Sequence, residues 1–349
     1  MAGRLEGDRV VLDDPVEASQ VYNRGFFGQP LKGGGLALSL LESVHLQEAG
    51  RLVVEREGSP VAVRDLLRAA GRAYPQFEIK SVVYRDLRQR GFIAEEDAGP
   101  FDFRVLPRGG APGKTPAKHW VQALSERAVF DLDALASQLR KAAGARKSFL
   151  LAVVDEESDL TYYAARQVEP RGRENPREPD ERATAHLLED RAMVVDEAHA
   201  AALSGAFYGK IVGRRLQLSL IETAYLLRRG AIELRNADTD RAISAARLLP
   251  RARRAQPDFD LRLRVYEDLR ARGIIAKTGF KYGSHFRAYD GNPQTHHAKY
   301  LVHALPAKYR GMWPEVSRAV RLAHGVKKQL LLAGAGVEIA YLRLERVRP

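Results

Sequence analysis

The chain contains no cysteine, and its 349 residues include only three Met, two Trp and four Asn. Without a thiol there is no disulfide scaffold, no iron–sulfur cluster, no cysteine nucleophile and no cysteine-ligated zinc. Scarce Asn, Met and Cys leave few thermolabile side chains, a composition that a thermophilic source and a high-GC genome both produce. No apolar run approaches the ~18–20 residues of a membrane helix. The opening MAGRLEGDRVVLDD lacks the apolar core of a signal peptide. A soluble, cytoplasmic protein with no membrane partner is therefore expected. Hydrophobic residues make up 45%, enough for cores of ordinary size, which argues against a disordered chain. Positive charge is in excess: 56 Lys and Arg against 44 Asp and Glu give +12, a balance that favours a polyanionic partner such as nucleic acid.

The chain contains itself twice. LSLLESVHLQEAG from Leu38 returns as LSLIETAYLLRRG from Leu218, an offset of 180. VYRDLRQRGFIA from Val83 matches VYEDLRARGIIA from Val265, and FDFRVL from Phe101 matches SHFRAY from Ser284. AKHWVQAL from Ala117 matches AKYLVHAL from Ala298, and RKSFLLA from Arg146 matches KKQLLLA from Lys327. A unit this long is a duplicated domain rather than a solenoid repeat. Each copy opens a helix with an S-x-x-E capping box, Ser39/Glu42 and Ser219/Glu222. Gly50 and Gly230, then Gly91 and Gly273, stand where helix C-caps call for a left-handed residue. Short strand-like runs follow, FDFRVL, HWVQAL and FLLAVV in the first copy and HFRAY, YLVHAL and LLLAG in the second. The pattern is mixed α/β. Between the copies, Glu169 to Ala185 is charged, proline-bearing and aperiodic, and reads as a solvated linker rather than an RNA contact.

Residues shared by both copies report the fold, and divergent ones report chemistry. Tyr289 and His297 of the second copy align with Leu106 and Pro116 of the first, neither of which can move a proton. Five of nine histidines, His285, His296, His297, His303 and His324, fall in one stretch of the second copy, which suggests a site there. Taken singly, His285, His303 and His324 read as structural. His296 and His297 are adjacent, so in a strand only one of them could face a given site. No H-x-x-x-H spacing and no carboxylate cluster is present, so neither a metal nor a cofactor is expected. On residue type alone, Tyr289 and His297 could equally be a catalytic pair or ordinary side chains.

The motifs KTGFKYGSHFRAY, HAKYLVHAL and RAVRLAHGVKKQLLLA, with LSLIETAYLLRRG and VYEDLRARG upstream, resemble the archaeal tRNA-splicing endonucleases. The layout resembles the homodimeric members in which a degenerate copy precedes an intact one. The resemblance implies an α/β (α+β mixed) fold in which each copy has an N-terminal helix/strand subdomain and a C-terminal nuclease-like subdomain of restriction-endonuclease type. It divides the chain into a structural copy at 1–168, the linker at 169–185, and a catalytic copy at 186–349 whose nuclease-like part starts near 261.

By the same resemblance, Tyr289, His297 and Lys328 are the catalytic residues, with Lys327 the less favoured lysine. The first copy keeps a lysine at Lys147 but not the other two. The implied reaction is metal-independent cleavage of precursor tRNA and other bulge–helix–bulge RNA. An RNA 2′-hydroxyl attacks its own phosphate, Tyr289 helps remove its proton, His297 protonates the departing 5′ oxygen, and Lys328 meets the developing charge. Arg321 and Arg343 are implied to sandwich an extruded bulge base. The acidic loop of the first copy, Asp155, Glu156, Glu157 and Asp159, is implied to insert into a basic pocket of a second subunit, giving a homodimer. Two rivals stand beside this reading. One is a non-catalytic RNA-binding subunit. The other is a metal-dependent nuclease, which would need carboxylates where Asp290 stands alone.

Overall fold

The computed structural model describes residues 1–174 and 181–349. Both capping boxes close as expected. The Ser39 hydroxyl accepts from the Glu42 N–H at 3.2 Å while the Glu42 carboxylate accepts from the Ser39 N–H at 3.0 Å. Ser219 and Glu222 repeat the arrangement at 3.2 and 3.0 Å. These boxes start the helices Leu40–Glu48 and Leu220–Arg228, and Gly50 and Gly230 leave them with φ of 67° and 75°. Only glycine takes that conformation without a steric cost.

Each helix packs on its own small sheet. The first copy has a six-stranded sheet and the second a five-stranded one, with Lys210–Val212 at one edge and Ile232–Asn236 at the other. The two nuclease-like subdomains, by contrast, share one ten-stranded sheet. Its middle is an antiparallel seam between Leu160–Val168 of the first copy and Ile339–Val347 of the second. Ala165 pairs with Leu344, its own counterpart in the repeat, so a pseudo-twofold axis crosses the seam there. A second cross-copy ribbon, Val129–Asp131 against Arg310–Met312, obeys the same axis.

Helices Phe77–Gln89 and Phe259–Ala271 cover one face of the sheet, while Leu132–Gly144 and Trp313–Gly325 cover the other. The core under the second pair is built from both copies: Phe130, Phe149 and Tyr163 pack with Trp313, Leu330 and Leu344. The Tyr163 hydroxyl bonds the Ser317 hydroxyl at 2.7 Å across this boundary. Two matched anchors sit on the other face. Tyr162 donates to Asp86 at 2.7 Å and Tyr341 to Asp268 at 2.6 Å, and each aspartate also holds an arginine one turn along its helix, Arg90 or Arg272.

The linker departs from the solvated tether expected of it. Glu169 to Glu174 is hydrogen-bonded onto the second copy, and Ala183 already begins a strand. The charged, apolar-poor sequence hid this because the docking uses main-chain groups that every residue carries. Residues 175–180 of the expected linker lie outside the described residues.

Candidate active site

Three neighbouring strands of the second copy end at one place. Phe286–Tyr289 runs antiparallel to Tyr300–Pro306, with Ala288 opposite Tyr300. Tyr300–Pro306 runs parallel to Gln329–Ala335, with Tyr300 beside Gln329. Tyr289 therefore lies one residue past this row, Lys328 one residue before it, and His297 three residues before Tyr300. Strands sit about 4.8 Å apart, so the register brings the three side chains' backbones to one end of the sheet.

Each of the three is placed differently. The Tyr289 ring is buried against Ile275, Ala298 and Phe207. Its hydroxyl has no hydrogen bond to any described residue, yet is not among the sealed, unpartnered oxygens, as those of Tyr84 and Tyr266 are. His297 is exposed and unbonded among the described residues. Its neighbour His296 is tied into its own turn, with Nδ1 2.8 Å from the Thr295 hydroxyl and its N–H on the Asn292 carbonyl at 2.9 Å.

The two candidate lysines also separate. Lys327 has φ of 55° and ends the helix Trp313–Gly325, as Arg146 with φ of 56° ends its counterpart in the first copy. Lys328 is half-buried, its Nζ 3.3 Å from the Val326 carbonyl and 5.7 Å from the centre of the Tyr282 ring.

The loop between Tyr289 and His297 is closed by contacts that residue patterns did not reveal. Lys299 Nζ holds the Asp290 carboxylate at 2.7 Å, and the Lys299 N–H donates to the Ala288 carbonyl at 3.0 Å. The signal was present: Asp290 aligns with Pro107, so the degenerate copy has lost this partner as well. The Arg287 guanidinium lies 5.9 Å from the Tyr289 ring centre. Among the described residues no group of three or more His, Asp or Glu side chains is placed to hold a metal ion.

Arg343 reaches the cluster through Gln329, whose side-chain oxygen accepts from Nη1 at 3.3 Å, while Nη2 pairs with Glu345 at 3.3 Å. Its side chain is 20% exposed. Arg321 lies exposed on the helix Trp313–Gly325 beside a hollow lined by Pro314, Glu315 and Arg318, and no described hydrogen bond or ion pair links it to the cluster. His285 and His303 are structural, while His324 lies exposed in the last turn of the helix Trp313–Gly325. His285 accepts from the Ala304 N–H at 2.8 Å, and burial pushes it down to about 4. Burial likewise lowers His303.

In the acidic loop, Asp155 caps its own turn by accepting from Glu157 and Asp159 N–H groups, and Glu156 pairs with Arg127. Glu157 and Asp159 are the two acids of this loop that are exposed and whose carboxylates have no such tie among the described residues.

A duplicated α/β unit fused across a pseudo-twofold axis, with a tyrosine, a histidine and a lysine converging in one copy only, defines a two-repeat protein with a single such centre per chain. Comparison with known proteins is in accord. The family model described as tRNA intron endonuclease, catalytic C-terminal domain, matches residues 77–162 and 259–341. The model for the N-terminal domain of the same family matches residues 1–67 and 183–249. A tRNA-splicing endonuclease of Methanococcoides burtonii is 41% identical over 95% of both chains. One from Methanosarcina acetivorans is 40% identical over the whole of both, and one from Haloferax volcanii 33%. The chain belongs to the tRNA intron endonuclease family, and it carries both family domains twice. No described helix is long and apolar enough to cross a membrane.

Proposed function

We propose that this chain is a tRNA-splicing endonuclease that excises introns by metal-independent cleavage at bulge–helix–bulge motifs, leaving 2′,3′-cyclic phosphate and 5′-hydroxyl ends. The observation that carries the reading is the convergence of Tyr289, His297 and Lys328 at one sheet end of the second copy. The 2′-hydroxyl of the residue before the cut attacks its own phosphorus. Tyr289, whose oxygen has no hydrogen bond to any described residue, receives the hydroxyl proton's hydrogen bond and assists its removal. The bond to the 5′ oxygen breaks as His297, exposed and free to reach the leaving group, donates its proton. Lys328 sets an ammonium against the charge that builds on the phosphorane oxygens. The nucleophile belongs to the substrate, so no metal-bound water is needed.

The Arg343 face, with Arg321, would hold an extruded bulge base by stacking, which reads shape rather than sequence. Excision needs two cuts, and each chain has one such centre. A homodimer, docked through Glu157 and Asp159 of the acidic loop, supplies the second. The test has two parts. Excision should require both bulges and be lost on a continuous duplex. Glu157→Ala with Asp159→Ala should shift the protein from dimer to monomer in sedimentation and abolish paired cuts. A double variant that stays dimeric removes the loop from the assembly, and equal cutting of plain duplex removes the bulge recognition.

A further inference from the structure

The described part of the connector is a strap laid against the catalytic copy. The N–H of Gly172 donates to the Arg272 carbonyl at 2.9 Å, that of Arg173 to the Asp290 carbonyl at 3.0 Å, and that of Glu174 to the Gly273 carbonyl at 3.2 Å. Glu169 adds an ion pair to Arg272 at 2.5 Å. The packing is tight: a Cβ on Gly172 would collide with the Gly273 carbonyl oxygen. In the first copy Pro107 aligns with Asp290, and its carbonyl is taken instead by Gly110 of its own turn, at 2.9 Å. The strap is thus a property of the catalytic half.

Its position matters because Asp290 directly follows Tyr289. Arg173 is fixed by its main chain one residue from that tyrosine, while its side chain is exposed and has no hydrogen bond or ion pair with any described residue. A guanidinium with no acidic partner among the described residues, held at such a place, suits a phosphate, which it can meet with two parallel N–H bonds.

We propose that Arg173 is a backbone contact for the RNA, gripping a phosphate next to the scissile linkage, and that the strap exists to hold it there. This rests on Tyr289 lying at the reacting centre.

The test uses the full-length chain and two forms of one bulge–helix–bulge RNA, cleavable and 2′-deoxy at both cut sites. Arg173→Ala should raise the half-saturating concentration of the cleavable RNA five- to tenfold at low salt. It should also raise the Kd of the uncleavable form equally, and reduce the slope of log Kd against log salt by about one. Arg173→Lys should restore the salt slope, since it keeps the charge, but only part of the affinity, since it cannot make the two parallel N–H bonds. Gly172→Ala, which unseats the strap with Arg173 still present, should weaken binding in the same way. An unchanged Kd and slope in Arg173→Ala would overturn the proposal, as would a loss confined to the maximal rate, which would mark an effect through Asp290. If the unaltered chain cuts no such RNA, the functional reading fails by itself, and the Kd and slope of the uncleavable RNA still decide the role of Arg173.

Discussion

At the residue scale, the duplicated chain carries its own control, because each side chain of the second copy has a counterpart under different chemistry. Tyr289→Phe, His297→Ala and Lys328→Ala should each lower the cleavage rate by about 10²- to 10⁴-fold while RNA binding persists. His296→Ala should stay near the unaltered rate, since that ring is bonded into its own turn. A His296→Ala loss as deep as that of His297→Ala would transfer the role.

The matched capping glutamates give a second control. Burial raises Glu42, against the N–H bonds from Gly28 and Ser39. Burial would raise Glu222 too, but the Lys277 ammonium at 3.1 Å and the N–H groups of Ser219 and Gly209 outweigh it and hold it below the usual carboxylate range. The signs follow. A raised folded pKa means Glu42 costs stability as pH rises through the ordinary carboxylate range toward that higher value. A lowered one means Glu222 contributes fully above the ordinary range and loses its contribution as pH falls through its own. In thermal unfolding, Glu42→Gln should lower the midpoint, because an amide nitrogen cannot accept the N–H bond that a carboxylate oxygen took, and the deficit should be smallest near pH 7 and grow as pH falls into the ordinary carboxylate range. Glu222→Gln should lower it most at pH 7, by the equivalent of about 1–3 kcal/mol, because the half-buried Lys277 ammonium keeps the Gly209 carbonyl but loses its carboxylate, and the deficit should shrink below about pH 4. Parallel pH dependence of the two variants would contradict the assignment.

At the element scale, sequence legibility followed the locality of the signal. Capping boxes, C-cap glycines and the strands around FRAY, YLVHAL and FLLAVV depend on neighbours within a few residues, and all lie where expected. The seam strands Leu160–Val168 and Ile339–Val347 were not legible as partners, because their pairing joins residues nearly half a chain apart. Their alternation is also blurred: Tyr162, Tyr163, Ala164 and Ala165 are all buried, as befits a strand covered on both faces. In the site, Tyr289 and His297 stood out by divergence between the copies. The Asp290–Lys299 pair diverges too, with Pro107 at the place of Asp290, but reads as ordinary surface charge, and the strap at Arg173 is held by main-chain groups that every residue carries. Ser219→Ala should cost about 1 kcal/mol in urea denaturation, and Ser39→Ala a similar amount in the other copy. No change from either would mean that the boxes do not carry their helices.

At the scale of the whole molecule, the two copies form one cooperative body. Trp313 of the second copy packs on Phe130 at 5.3 Å and on Tyr163 at 6.0 Å, both from the first. Trp313→Ala should cost about 3–5 kcal/mol and lower a single transition involving both copies. Two separate transitions, with only one shifted, would contradict the shared core.

The most direct test of the account concerns the bond that is cut. An end-labelled bulge–helix–bulge RNA is incubated with the enzyme in EDTA, with a single 2′-deoxy substitution at one cut site or the other. The account predicts that cleavage survives EDTA, disappears only at the substituted site, and leaves a cyclic phosphate at the other. Cutting that EDTA abolishes, or that proceeds through a 2′-deoxy position, would contradict catalysis by Tyr289, His297 and Lys328 on a nucleophile supplied by the RNA.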